Sequence, residues 1–246
     1  MRLRATLAGM AVEVCSYRLT SRGRPVGSQT LSRSERGRVA YLEARLQLQG
    51  SLGQGSVVQS SRAHVSRHVS QQFREETDLR GDQRQYDVRF DAQQGLVIAV
   101  RGRSDRAVIP YLLPYRDPLS LLWELRDAAS LPWDDAAPLR IPMLGKDVVV
   151  YRATEVRVDG PAGPTRGRAF HLHPGGSLVV VDLAPPHRIL RLVQRVIDGV
   201  VEATLVRADV EERMATLDAP EEPRGTAPKR RSRRRGRRRR GKRGQG

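Results

Sequence analysis

Lysine and asparagine are almost missing from this chain of 246 residues. Only three lysines (Lys146, Lys229 and Lys242) accompany 41 arginines, and there is no asparagine. This preference for arginine over lysine extends over the whole chain, so a single arginine is weak evidence of function. A local cluster of arginines is informative because a uniform bias does not produce it.

Cysteine and long apolar runs are also scarce. Cys15 is the only cysteine, which excludes a disulfide within the chain and is compatible with a cytoplasmic location. No apolar stretch approaches the roughly 20 residues that a membrane helix needs. The start has Arg2 and Arg4 before a short apolar run, which Gly9 interrupts and which reaches Glu13 without a clean cleavage site. We therefore expect a cytoplasmic protein with no transmembrane segment, and export is the alternative.

The familiar catalytic motifs are absent too. The sequence has no Walker-type glycine loop ending in Lys-Ser/Thr, no HExxH, no GxSxG and no paired CxxC. Hydrolysis or phosphoryl transfer by a familiar set of residues is therefore not expected. We predict a protein that is not an enzyme and has no cofactor and no metal, with a metal-dependent enzyme as the less favoured alternative.

What the sequence does have is alternation with a period of two. Ala40, Leu42, Ala44, Leu46 and Leu48 are apolar, and polar residues separate most of them. A strand with one buried and one solvated face gives this pattern.

Turn signals separate further strand-like runs. Residues 85–101 read as a hairpin around Gln93-Gln94-Gly95. Asp198-Gly199 joins two β-rich runs and favours a tight two-residue turn. Pro174-Gly175-Gly176 and Gly145-Lys146 also precede strand-like segments. Short strands divided by turns predict an antiparallel meander.

One helix is predicted within this meander. Asp117 supplies an N-cap acceptor, and Pro118 occupies the first helical position. Leu119, Leu122, Trp123 and Leu125 then give an apolar helical face through about residue 129. We expect this helix to pack over an open face or mouth of the sheet.

Three segments carry a resemblance to a known family. They are VEVCSYRLTSRGRPVGSQTL at 12–31, DPLSLLWELR at 117–126 and the closing run GGSLVVVDLAPPHRILRLVQRVIDGVVEATLVR at 175–207. Over roughly residues 10–210 the chain resembles an uncharacterised bacterial family of unknown function, related in fold to the LolA/LppX lipoprotein carriers. The resemblance implies a strongly curved antiparallel half-barrel with a helix near its concave side and an apolar cavity. It supplies no catalytic residues.

Several residue types could carry chemistry but are expected to be structural. His171 and His173 lie two apart on a predicted strand, so both imidazoles share a face, yet a metal needs a third ligand. Cys15 has no activating neighbour in the sequence and reads as a buried, inert thiol. Asp134-Asp135 reads as a solvated turn.

The two tryptophans are expected in the core or at the cavity. Trp123 and Trp133 read as core or cavity-lining residues and not as platforms for nucleotide stacking. With Leu119 and Leu122 they are the candidate cavity-lining residues.

The C-terminus carries the densest charge. Residues 229–246 hold twelve cations and no acid, leaving +5 of the formal charge of +17 for the rest. Such a segment repels itself and cannot bury a core, so we expect it to be disordered. Guanidinium groups pair with phosphate oxygens, and the segment has no aromatic residue for base stacking, so binding should not depend on sequence. The candidate nucleic-acid-binding residues are Lys229, Arg230, Arg231, Arg233, Arg234, Arg235, Arg237, Arg238, Arg239, Arg240, Lys242 and Arg243.

The sequence thus predicts a mainly β fold in three parts. Residues 1–210 form a strongly curved antiparallel meander, an open half-barrel, with one short helix; 211–228 are an acidic, proline-containing linker; and 229–246 are a disordered Arg-rich tail. The favoured function is nonspecific binding of RNA or DNA through the tail, while the β-domain binds an unknown protein or apolar ligand. The alternatives are an apolar-ligand or lipid carrier of half-barrel type and, for the tail, an anionic membrane surface or no specific partner.

Overall fold

A computed structural model describes residues 10–102, 104–131, 137–196 and 199–213. Within these ranges fourteen β-strands and one α-helix follow one another along the chain. The strands before the helix are β1 (Met10–Ser21), β2 (Arg24–Arg36), β3 (Val39–Leu48), β4 (Gly55–His64), β5 (Ser70–Leu79), β6 (Asp82–Asp91), β7 (Leu96–Arg101) and β8 (Asp105–Pro110). After the helix α1 (Pro118–Ala128) come β9 (Leu139–Met143), β10 (Lys146–Gly160), β11 (Gly163–His173), β12 (Ser177–Asp182), β13 (Ile189–Val196) and β14 (Gly199–Arg213).

The fourteen described strands form one antiparallel sheet. Its order is β8-β7-β6-β5-β4-β3-β2-β1-β14-β13-β12-β11-β10-β9, so consecutive strands pair within β1–β8 and within β9–β14, and β1 also pairs with β14. The outermost strands, β8 and β9, do not pair with each other. The sheet is therefore an open meander and not a closed barrel, which confirms the predicted fold class.

The alternation in the sequence marks the two faces of the sheet. Ala40, Leu42 and Ala44 of β3 are buried, and the residues between them are half-buried or exposed. The predicted hairpin at 85–101 is confirmed as β6 and β7, and the pairing of Val196 with Gly199 confirms the hairpin between β13 and β14.

The predicted helix is confirmed to within a residue at its end. Asp117 is its N-cap, Pro118 stands at the first helical position, and the helix ends at Ala128. It packs against β3 and β4 and also against β12, although four strands lie between β3 and β12 in the sheet. The sheet must therefore curve around the helix, which lies on the concave face.

A segment before the helix links the two halves of the sheet. The backbone N–H of Ser70 donates to the carbonyl of Tyr115 at 3.0 Å, and the N–H of Arg116 donates to the carbonyl of Pro142 at 2.8 Å. Residues 115 and 116 thus bridge the beginning of β5 and the strand β9. The half-barrel is held at this end by backbone hydrogen bonds.

One glycine stands inside a strand. Gly27 lies within β2 at a register shift between β1 and β2. It has a φ of +143°, and a Cβ at this position would lie 1.9 Å from the carbonyl oxygen of Gln47 in β3. Glycine is required here because the neighbouring backbone approaches so closely.

The last strand reaches beyond the expected domain boundary. β14 continues to Arg213, so Glu211 and Glu212, which the sequence assigns to the linker, are strand residues. The remainder of the linker and the whole tail lie outside the described residues. In the part of the chain that the structure describes, no helix is long and apolar enough to span a membrane.

Candidate ligand cavity on the concave face

A cavity of about 220 Å³ lies between the helix and the sheet. One wall comes from β2, β3 and β4, and the opposite wall comes from β9 to β13. The helix contributes Pro118, Leu119, Leu121 and Leu122. Because the walls belong to distant parts of the sheet, the cavity exists only through the curvature described above.

Apolar side chains supply most of the lining. Representative lining residues are Leu46, Leu119, Leu122, Val148, Leu172 and Val179. Leu119 and Leu122, both predicted from the sequence, therefore do line the cavity. Trp123 is not among the lining residues; it is buried at the middle of the helix, and Trp133 lies outside the described residues.

A few polar side chains interrupt this apolar lining. Gln29 is on β2 and only 9% exposed, while Gln194 and Lys146 are exposed at the rim. Gln59 also lines the cavity, and its amide nitrogen donates to a carboxylate oxygen of Glu75 at 2.7 Å. Small-molecule sites usually combine an apolar lining with a few placed polar groups, and this cavity has that character.

The N-terminus of the helix is fixed by a buried carboxylate. Asp117 is 2% exposed, and one of its oxygens accepts hydrogen bonds at 2.6 Å from the hydroxyls of Ser61 and Ser70. The other oxygen accepts from the backbone N–H groups of Leu119 and Ser120 at 2.9 and 3.0 Å. Burial raises the pKa of Asp117, and these four hydrogen bonds oppose the rise. The helix start is thereby attached to β4 and β5 beside the cavity.

A buried ion pair fixes the other end of the helix. Arg126 is 3% exposed, and its guanidinium donates to the Glu13 carboxylate at 2.6 and 3.3 Å and to the carbonyl of Pro186 at 2.6 Å. Its charge also lies 4.1 Å from the ring centroid of Trp123. Burial lowers the pKa of Arg126, while Glu13 opposes this shift. This ion pair joins α1 to β1.

The single cysteine is buried and unreactive in character. Cys15 is 2% exposed, and burial, helped by the nearby Glu13 charge, raises its pKa to about 11. A thiol with this pKa is almost wholly protonated at neutral pH and is a poor nucleophile. These observations agree with the inert thiol expected from the sequence.

The histidines do not form a metal site in the described residues. His171 and His173 are both exposed on one face of β11, as predicted, and the His173 ring makes an edge contact with Tyr151 at 5.5 Å between centroids. No group of three His, Cys, Asp or Glu suited to a metal occurs within the described ranges. Asp134 and Asp135 lie outside these ranges.

The cationic tail residues also lie outside the described residues, so their binding remains a prediction.

Sequence reasoning missed three groups inside the half-barrel: Gln29, the serine pair that holds Asp117, and the pairing of Glu13 with Arg126. A signal existed for Glu13 alone, because it shares the odd-numbered face of β1 with the buried Cys15 and Tyr17.

Comparison with known proteins supports the class of fold. No protein-family model and no curated protein matches this chain. A crystal structure of a β-barrel-like protein of the domain-of-unknown-function family DUF1849 from Brucella abortus is similar, with a TM-score of 0.52 and 9% sequence identity. The match covers 85% of this chain and all of that chain. The chain thus has the fold of an uncharacterised β-barrel-like domain, in agreement with the coarser part of the resemblance stated above.

Proposed function

We propose that the β-domain is a non-enzymatic binding protein that holds a small, mainly apolar ligand in the concave cavity. The observation that carries this proposal is the partly open, leucine-rich space of about 220 Å³ between the helix and two distant parts of the sheet. A solidly packed interior would leave no such space, since protein cores have few voids larger than a water molecule.

The size of the cavity sets the size of the ligand. A protein cavity of about 150 Å³ lined by apolar side chains accepts benzene, which has six heavy atoms. By the same ratio this cavity accepts about nine heavy atoms, roughly the size of an eight-carbon alcohol. The cavity and the curved sheet also support a relationship to the LolA/LppX carriers as part of this proposal, with a smaller ligand than a complete lipid.

Two adjacent valines on β4 provide a test. Val57 lines the cavity, whereas Val58 does not line it and lies on the opposite face of the strand. Val57→Phe should reduce the affinity for 1-octanol by about tenfold or more, since the added ring occupies the space that the ligand needs. Val58→Phe makes the same chemical change outside and should leave the affinity near that of the unchanged protein. Calorimetric titration of both full-length variants measures the difference.

Two results would contradict the proposal. One is that the unchanged protein, folded by circular dichroism, does not bind 1-octanol up to its solubility limit. The other is that both phenylalanine variants bind it equally well.

A second function is proposed for the C-terminal segment: nonspecific, phosphate-directed binding of RNA or DNA, in keeping with a cytoplasmic location. The observation that favours it is the concentration of twelve cations in eighteen residues with no acid among them. Neutralised phosphates release counterions, so about 8 contacts give a log–log salt slope near −7 for duplex DNA. A protein partner of the β-domain is compatible with both functions.

The test of the tail proposal removes the positive charges of residues 229–246 and keeps the length of the segment. A variant in which all twelve Lys and Arg residues of 229–246 are replaced by glutamine should lose the steep salt dependence in filter binding to a 20-base-pair duplex and to a single-stranded RNA. Affinity should fall at least a hundredfold at moderate salt because most phosphate contacts are gone. Equal affinity of the two proteins would contradict this function and would leave the cavity proposal untouched.

A further inference from the structure

The polar groups of the cavity specify the chemical class of the ligand, whereas the volume of the cavity sets only its size. This inference rests on the proposed ligand-binding function of the β-domain. Its main observation is Gln29, which is nine-tenths buried and lines the cavity from β2. Its side-chain amide hydrogen-bonds to no described residue. The amide nitrogen and oxygen are not among the fully buried, unpaired atoms of the described residues, so they stay accessible from the cavity and can bond to a ligand there.

A neighbouring glutamine shows the contrast. Gln59 also lines the cavity, but its amide nitrogen is already held by Glu75 at 2.7 Å. Gln29 therefore presents both a free donor and a free acceptor, and a hydroxyl group satisfies both at once because it donates and accepts. A carbonyl or an ether oxygen would satisfy only the donor.

The opposite wall carries a single positive charge. Lys146, at the start of β10, is exposed at the rim and is the only lysine in the described part of the chain. No aspartate or glutamate is among the lining residues. The rim is therefore suited to an anionic group that remains partly in water, such as a carboxylate.

The two polar groups stand on different walls. Five strands separate β2 from β10 in the sheet, so Gln29 and Lys146 line the cavity from opposite walls. Leucine and valine side chains make up most of the remaining lining, including Leu46, Leu119 and Leu172. A ligand that satisfies all three features is polar at both ends and apolar between them.

We propose that the cavity binds a medium-chain carboxylate that carries a hydroxyl group at its far end. The carboxylate lies at the rim beside Lys146, the chain lies against the leucines, and the hydroxyl reaches the amide of Gln29. With about nine heavy atoms inside the cavity, the chain has about eight carbons.

Three ligands of equal chain length test this assignment on the full-length protein: 1-octanol, octanoate and 8-hydroxyoctanoate. Octanoate should bind about threefold more tightly than 1-octanol, as expected for an exposed ion pair. 8-Hydroxyoctanoate should bind about fivefold more tightly than octanoate because its hydroxyl gains a buried hydrogen bond. Calorimetry at neutral pH gives the three dissociation constants. The unchanged protein is used throughout, so the result does not depend on whether a variant folds.

Two variants assign the preferences to residues. Gln29→Leu should reverse the hydroxyl preference, so that octanoate binds better than 8-hydroxyoctanoate, while Gln47→Leu on the outer face of β3 should preserve it. Lys146→Gln should abolish the preference for octanoate over 1-octanol, while Arg140→Gln, which removes an exposed cation from the adjacent strand β9, should not.

The outcomes separate this inference from the proposal on which it rests. If 1-octanol binds and is blocked by Val57→Phe, but the carboxylate and the hydroxyl add no affinity, the ligand class is wrong and the binding function stands. If none of the three ligands binds, both are wrong. If the preferences are present but survive Gln29→Leu and Lys146→Gln, the assignment to these residues is overturned.

Discussion

Replacement of Asp117 by alanine is expected to lower the free energy of unfolding by about 3 to 5 kcal/mol. The loss has two physical sources. The helix loses its N-cap, which is worth about 1 kcal/mol. The hydroxyls of Ser61 and Ser70 and two backbone N–H groups lose the acceptor that they share, and each buried group left without a partner costs about 1 to 3 kcal/mol before relaxation.

Urea or guanidinium unfolding of the full-length protein measures this change. Asp82→Ala is the matched control, because Asp82 is exposed and its side chain pairs, among the described residues, with the exposed Arg84 alone. That variant should differ from the unchanged protein by no more than about 0.5 kcal/mol. A loss below about 1 kcal/mol for Asp117→Ala would show that the carboxylate does not hold the helix to the sheet.

The ion pair between Glu13 and Arg126 is expected to show strong coupling. Arg126→Met leaves a carboxylate in the interior with only the longer contact to Arg188 at 3.3 Å, and Glu13→Gln leaves a buried guanidinium without its counter-charge. Removal of one partner of a buried pair costs about 3 to 5 kcal/mol, because an uncompensated charge stays buried. The double variant Glu13→Gln/Arg126→Met should lose about 2 kcal/mol less free energy of unfolding than the sum of the losses of the two single variants.

The exposed pair between Arg45 and Glu43 is the reference for this cycle. Its nitrogen and oxygen lie 2.6 Å apart, as close as in the buried pair, but Arg45 is 61% exposed in its side chain. Its coupling energy should therefore be below about 1 kcal/mol. Equal coupling energies in the two cycles would mean that burial of Glu13 and Arg126 has no energetic consequence, contrary to the expectation.

Local patterns were enough to predict several of the strands and the helix. The alternation in β3 and the turns at Gly95 and Gly199 depend on residues close in sequence, and so does the cap formed by Asp117 and Pro118. The half-barrel and the cavity followed from the family resemblance. Leu119 and Leu122 were found because the helix has one apolar face, and that face meets the concave side of the sheet.

The polar interior could not be predicted in the same way. Gln29 stands in a strand rich in serine and arginine, where a glutamine reads as a solvent-facing residue. Only the curvature of the sheet places its side chain at the cavity. The partners of Asp117 are 56 and 47 residues away, and Glu13 is 113 residues from Arg126. Pairings at such separations depend on the complete fold, so the local sequence does not reveal the partner.

Together these features give a consistent physical description of the β-domain. Two buried ionic groups, one at each end, hold the helix across the concave face, and the apolar residues between them cover the cavity. Because the helix is fixed at both ends, the cavity is expected to exist before the ligand arrives, which lowers the entropic cost of binding.

The presence of a ligand in this cavity is tested most directly by methyl NMR of the leucine-labelled, full-length protein during a titration with octanoate. We expect saturable shifts at Leu46, Leu119, Leu122, Leu172 and Leu178, which line the cavity. Leu112 and Leu113, which are 76% and 46% exposed beside the edge strand β8, should not shift. Shifts confined to these exposed leucines, or none at the cavity at saturating octanoate, would contradict the proposal that the half-barrel holds a ligand.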